Sequence, residues 1–300
     1  MARSTRVFAF ALLAVLASSL ALAGDGYADA VGKARAERVS RLERADGYLS
    51  LTASGWLEPG DTRIGSAADN DVPVPGAPAH LGVLTLAGGE VRLHLLATGG
   101  VYVDGRADTP PDIALHTQGA DGSRTPTRVR FGSSYLYVVE NGARRGLRVK
   151  DNDAPLRRHF PGFAYFPVDP SWRIVAKWQP FDPPESLRIA YVTGTEEDTP
   201  VPGKAVFQRD GKTYELRPIA EDGRLFFIFS DRTAGRLTYG GARFLYADAP
   251  KDGQVVLDFN LAENPPCAIT PHVVCPLAPP ENRLALPVTA GELKFRGAGH

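Results

Sequence analysis

From Gly47 onward, glycines, prolines and Asp-Gly pairs cut the chain into short runs rich in Val, Leu, Tyr and Phe. With 31 glycines and 25 prolines in 300 residues, few stretches are long enough for a packed helix. Short apolar runs between breakers fold as strands. Val91-Arg92-Leu93-His94-Leu95 alternates with period two, the pattern of a half-buried strand, and Ala87-Gly88-Gly89-Glu90 before it is a hairpin turn. Arg209-Asp210-Gly211-Lys212 is a second hairpin signal.

In the first half, strands are expected at Tyr48–Ala53, Asp61–Ile64, Val72–Val74, Val83–Leu86, Val91–Leu96, Val101–Val103, Arg128–Phe131, Tyr135–Val139 and Arg144–Val149. Asp151–Asp153, Pro155 and Pro161 then mark a domain boundary. In the second half they are expected at Arg173–Trp178, Arg188–Thr193, Gly203–Gln208, Lys212–Pro218, Leu225–Ser230, Gly241–Tyr246 and Gln254–Asn260. Regular spacing of short strands implies sandwiches or barrels.

The exception lies near the start. Tyr27 to Ala45 holds no proline, and Val31, Ala34, Val39, Leu42 and Ala45 approximate one helical face. Arg35, Arg38, Arg41 and Arg44 form the neighbouring stripe. They read first as a solvated basic face and alternatively as a source of one arginine that reaches an acid or an anionic ligand. Upstream, Met1-Ala2-Arg3-Ser4-Thr5-Arg6, an apolar run from Val7 to Leu20 and Ala21-Leu22-Ala23 make a secretory signal peptide over residues 1–23. The mature chain then starts near Gly24 and is periplasmic or extracellular, with no stable membrane insertion after processing.

Formal charge is zero over the whole chain. Losing Arg3 and Arg6 with the leader makes the mature protein slightly acidic, which argues against nucleic acid as a partner. The Gly-x-Ser-x-Gly, His-Glu-x-x-His, Walker-type and Cys-x-x-Cys signatures are all missing, and no cofactor is called for.

Chemistry-bearing residues concentrate near the C-terminus. Asp258-Phe259-Asn260 leads into Asn264-Pro265-Pro266-Cys267, then Cys275-Pro276, Pro279-Pro280-Glu281-Asn282 and Gly291-Glu292. Prolines stiffen this loop, and its short polar side chains either satisfy the loop's own backbone or converge on a ligand. The candidate ligand-binding residues are Asp258, Asn260, Asn264, Asn282 and Glu292, with Arg243, Asp231 and Tyr239 from the glycine-rich stretch Phe229–Arg243. Arg243, if buried, needs an acid, and Asp231, Asp258 and Glu292 are available. Cys267 and Cys275 are candidates for a disulfide, which export favours. The competing readings are free buried thiols and a metal site completed by His272 and Asp258, although the cysteine spacing is not a usual zinc pattern.

Two stretches carry resemblances. Thr62-Arg63-Ile64-Gly65-Ser66 through Asn70-Asp71-Val72-Pro73-Val74, then His80 and Val101-Tyr102-Val103-Asp104-Gly105, resemble a forkhead-associated (FHA) domain. The resemblance implies a β-sandwich. Binding members of that family read phosphothreonine through an arginine after the glycine and a serine before the histidine region. Ser66 stands at the arginine position here and Pro78-Ala79-His80 shows no matching serine, so the resemblance implies the fold without that activity. The whole mature chain also resembles DUF1684, a family of unknown function, through Gly55-Trp56-Leu57, Arg148-Val149-Lys150-Asp151, Phe160 to Pro167, Phe229 to Gly235, Thr238 to Leu245 and the C-terminal motif.

The expected protein is mostly β: an N-terminal helix within 24–46, an FHA-like β-sandwich over 47–150, and over 151–300 a second β-rich sandwich or barrel-like domain carrying the long Pro-rich loop. Its leading function is binding of a small polar ligand at that loop. The alternatives are a hydrolase-like enzyme using Asp258 and Glu292, and a structural or protein-interaction module with a protein partner.

Overall fold

A computed structural model describes residues 26–97, 99–119 and 124–297; the leader expected over 1–23 lies outside them. The chain is mostly β, with 45% strand and one N-terminal helix among its several sheets. Residues 26–43 form that helix, α1. The chain divides into two compact units. One comprises residues 41–161 with 270–273, and the other comprises residues up to 40 with 162–269 and 274–300. The sequence had suggested boundaries after 46 and 150.

In the 41–161 unit the strands are β1 (Leu51–Leu57), β2 (Gly60–Gly65), β3 (Val72–Pro73), β4 (Gly82–Ala87), β5 (Glu90–Leu95), β6 (Val101–Val103), β7 (Asp112–Leu115), β8 (Val129–Phe131), β9 (Ser134–Asn141) and β10 (Arg144–Asp151). They make two five-stranded sheets, ordered β1-β10-β9-β8-β6 and β3-β2-β4-β5-β7. Alternation works as the sequence predicts. Along β5 the inward Val91 and Leu93 are buried while Arg92 and His94 are exposed. Those residues join Ile64, Leu84, Val129, Leu136 and Leu147 in one apolar core.

One expectation needs correction, and one strand was not foreseen. Tyr48–Ser50 is a single 3-10 turn rather than strand, fixed by the Ser50 hydroxyl donating to the Gly47 carbonyl at 2.7 Å. The edge strand β7 has no alternating signal in the sequence and exists because β5 offers it a partner.

The other unit contains β11 (Arg173–Ala190), β12 (Glu196–Arg209), β13 (Lys212–Leu216), β14 (Ile219–Glu221), β15 (Arg224–Phe229), β16 (Arg243–Ala247) and β17 (Gln254–Asp258). A four-stranded sheet runs β13-β12-β11-β17 and a three-stranded sheet β14-β15-β16, within an arrangement that includes a half-barrel. Arg173–Trp178 and Arg188–Thr193, expected as separate strands, lie largely in β11. Its prolines fall where its pairing with β12 slips between Pro180 and Glu185, a place where missing ladder donors cost little. Phe259, directly after β17, anchors the core, with its ring 5.5 Å from Phe229 and 5.8 Å from Trp172. This burial holds the start of the polar loop against the sheet. Among the described residues no helix is long and apolar enough to cross a membrane.

Candidate functional site

Phe259 points inward, so its polar neighbours are held at the margin of the core. The Asp258 carboxylate accepts from the Asn260 backbone N–H at 3.1 Å and caps the 3-10 turn Phe259–Leu261. It also accepts the Tyr27 hydroxyl of α1 at 2.7 and 2.9 Å. Burial, and then the Asp258 carboxylate, raise the Tyr27 pKa well above its ordinary value. The fully buried Asn260 amide donates to the Asp169 carbonyl at 2.9 Å and accepts from the Asp169 N–H at 3.0 Å, closing the loop on the segment before β11.

Glu292 forms the second group. One of its oxygens accepts from the Asn264 backbone and side chain at 2.6 and 3.1 Å. Arg38 of α1 reaches the same carboxylate, with Nε at 2.5 Å from Oε1, while its Nη1 lies 3.0 Å from Glu263 and its Nη2 donates to the Asn264 carbonyl at 2.8 Å. The guanidinium also lies over the Phe163 ring. Burial opposes the Arg38 charge, but Glu263 and Glu292 outweigh it and raise its pKa. Between the two groups, Arg35 donates to the Asn260 carbonyl at 3.2 Å and stacks on Tyr165. Burial lowers the Arg35 pKa and pushes the Tyr165 hydroxyl up to about 12.

Arg243 and Asp231 form the third group, an ion pair at 3.1 Å with side chains 2% and 0% exposed. Arg243 also donates to the Val288 carbonyl at 3.1 Å and to the Ala290 carbonyl. Burial lowers its pKa, and Asp231 works in the opposite direction. Asp231 further accepts the Thr233 and Val288 N–H groups at 2.8 and 3.2 Å. Gly291, at φ +80°, passes between the second and third groups, where a Cβ would collide with the Ala262 carbonyl and the Arg243 guanidinium.

The structure therefore joins Asp258 to Asn260, Asn264 to Glu292 and Asp231 to Arg243. It does not bring Asn282 to any of them. Asn282 accepts from the Arg217 N–H and donates to the Arg217 and Ile228 carbonyls, all at 2.8–2.9 Å, acting as one rung of a ladder between segments. Tyr239 sits instead with the cysteines. Cys267 and Cys275 approach to 2.7 Å as free thiols. The hydrogen bond from Cys275 lowers the Cys267 pKa, with Tyr239 acting in the same sense, and the same thiol–thiol bond raises that of Cys275. Among the described residues no group of three or more His, Cys, Asp or Glu is placed to hold a metal.

Sequence reasoning missed Tyr27 and Glu263; of the expected apolar face of α1, Val31 and Leu42 are buried and Ala34 and Val39 half-buried, Ala45 is exposed, and Arg35 and Arg38 turn inward as well. Residues 27, 31, 35, 38 and 42 recur at helical spacing, and all are buried or half-buried. A search for apolar residues alone passes over Tyr27, Arg35 and Arg38. The signal was available in that spacing, since arginine stems and tyrosine rings bury readily when their polar ends find partners.

Residues 158–293 match a family model described as protein of unknown function. The match is to DUF1684. It covers the segment that carries every loop residue discussed above and is narrower than the whole-chain resemblance. An uncharacterised protein from gene locus rrnAC0354 of Haloarcula marismortui, solved by NMR, is 33% identical over 46% of this chain and 80% of its own, with a TM-score of 0.39. Rad53 residues 1–466 in complex with AMP-PNP pairs at 11% identity over 75% of this chain and 51% of that one, with a TM-score of 0.18, too low to bear on fold or function. No curated protein matches. Helix α1, which supplies Tyr27, Arg35 and Arg38, lies outside the DUF1684 segment.

Proposed function

We propose that this is an exported protein-interaction module in which the polar loop of the DUF1684 segment is a latch for α1 rather than a reactive centre. One observation carries this reading: Glu263 and Glu292 are both occupied by Arg38, and Asp258 by Tyr27. A carboxylate serving as general base or nucleophile needs to be free to meet a substrate; Asp258 and Glu292 are each already committed within the fold. The leader-like sequence supports export, and an exported chain supports joining Cys267 to Cys275. A disulfide closing so short a loop contributes roughly 2–3 kcal/mol.

The FHA-like reading of the 41–161 unit rests on its two five-stranded sheets and on the loop after β2. There the buried Asn70 amide donates to the Ala67 and Ala79 carbonyls, both at 2.8 Å. Ser66 lacks the forked donors that bind phosphate bidentately, so this unit contacts a partner by another route. A phosphothreonine peptide array should show no phosphate-dependent signal.

A second reading, binding of a small polar ligand, is favoured by two atoms beside the acids. The Tyr165 hydroxyl and Arg35 Nε are buried without hydrogen-bond partners among the described residues. Native mass spectrometry of protein beginning at Gly24 separates the two. The latch reading expects the mass of the polypeptide alone. A small molecule that is released on denaturation, and absent from Glu292→Gln, establishes the second reading instead.

A further inference from the structure

An open cavity of about 560 Å³, whose lining includes none of Tyr27, Arg38, Asp258 and Glu292, is formed by Lys212, Thr213, Glu215, Arg232, Arg283 and Ala285 among others. One wall is β13, the edge of the four-stranded sheet. Asp210 and Gly211, at φ +52° and +73°, make the two-residue turn between β12 and β13. In such a hairpin the flanking pair exchanges hydrogen bonds and bonded pairs then alternate. Arg209–Lys212, Phe207–Tyr214 and Ala205–Leu216 are therefore the bonded pairs. The N–H and C=O groups of Thr213 and Glu215 consequently point away from β12, and among the described residues no backbone partner takes them.

The opposite wall is the segment 282–286, which leaves the 3-10 turn Pro280–Asn282 and bends at Ala285 and Leu286. Its even-numbered residues spend their backbone groups on residues 230–232: Ser230 N–H to the Asn282 carbonyl, Leu284 N–H to the Ser230 carbonyl and Arg232 N–H to the Leu286 carbonyl, at 2.8–3.1 Å. Arg283 is extended where it bridges Ser230, and it lines the cavity together with Leu284 and Ala285. At one end the walls are tied together by Asn282, whose side chain pairs with the Arg217 backbone. The cavity is thus a slot with the strand edge β13 as one wall, closed at Asn282 and open beyond it.

Charge selects the occupant. Glu215 is neutralised by Lys204 at 2.6 Å and Arg217 at 3.5 Å. This leaves Lys212, Arg232 and Arg283 against Glu281 around the slot.

We propose that this slot binds an extended acidic segment of a partner protein by strand addition, its backbone pairing with Thr213 and Glu215 on the free edge of β13. Main-chain hydrogen bonds give affinity in this mode and the flanking cations select acidic side chains. The latch and ligand readings of the polar loop are independent of it.

The test uses the mature protein and a fluorescein-labelled nonapeptide alternating aspartate and valine, followed by anisotropy. Binding should weaken about tenfold on N-methylation of alternate peptide residues, which removes donors without changing charge, and by a similar factor in R283E. Thr213→Pro, tolerable at an outward-facing edge position, should also weaken it about tenfold, and amide exchange at Thr213 and Glu215 of the unsubstituted protein should slow when peptide is bound. Equal affinity for a lysine–valine peptide overturns the charge argument. Equal affinity for the N-methylated peptide, or no change in exchange at Thr213 and Glu215, overturns strand addition, and absence of millimolar or tighter binding overturns the site.

Discussion

The two compact units stay folded by different means. In the 41–161 unit, alternating strands turn apolar faces into one core, and among the described residues its buried polar side chains are few: Ser50, Asn70, Thr127, Ser134, Lys150 and, from the 270–273 segment, Thr270. In the unit holding the DUF1684 loop, Asp231, Thr233, Thr238, Arg243, Asn260, Asn264, Asn282 and Glu292 are all buried. The sandwich needs strands of the right period. The loop, which has no ladder, needs a named partner for nearly every polar group. Apolar burial tolerates exchange of similar volumes, whereas a hydrogen-bonded path tolerates little, because a lost partner leaves a desolvated group behind.

The largest effect should come from splitting the deepest ion pair. Asp231→Ala leaves Arg243 buried and uncompensated, and urea unfolding should show a loss of about 3–5 kcal/mol confined to the loop-bearing unit. Leu136→Ala, in the sandwich core at 0% exposure, should cost about 2–5 kcal/mol. The contrast sharpens in the milder variants: Leu136→Met should be nearly tolerated, while Asp231→Asn should not. If both conservative changes cost the same, the distinction between the units fails.

Arg38→Met keeps the stem but strips the charge from Glu263 and Glu292. Its expected cost is about 2–4 kcal/mol, with faster amide exchange in α1 and around residue 264. Arg41→Met, at an exposed position on the same helix, is the matched control and should change stability by less than about 0.5 kcal/mol.

The smallest effect concerns the sandwich's buried cation. Burial, reinforced by Arg148, pushes Lys150 down to about 8 from 10.5. Between those values the unfolded chain binds more protons than the folded one, so the stability of this unit rises with pH across that window. Lys150→Met should flatten the rise between pH 8 and 10, as read from urea midpoints. A parallel slope in the variant assigns the rise to other groups.

How much of this was legible varies by element. The alternation of Val91 to Leu95 and the Asp210-Gly211 turn gave strands and hairpins directly, because period and turn chemistry are local. The loop's candidate residues were found by their unusual density, but their partners were not. Asn282 was grouped with Glu292 because both lie in one loop, yet its partners are Arg217 and Ile228. Arg38 was found as one of a stripe; its spacing with residues 27, 31, 35 and 42 sets it apart from Arg41, but only the tertiary position of Glu292 names its partner. The register slip in β11 was hidden for a related reason, since prolines read as strand breaks until a partner strand shows where they are accommodated.

The distance in sequence between Arg38 and Glu292 is 254 residues. At typical synthesis rates an arginine made near the beginning waits roughly 13–50 s before the acid that fixes it exists. The 41–161 sandwich, whose strands come from one nearly continuous stretch, can condense meanwhile. Helix α1 cannot settle until Glu292 has been made. A ribosome stalled or a chain cut short even a few residues before Glu292 therefore releases a molecule with a finished sandwich and a loose helix, a shape that proteases can distinguish from the complete protein.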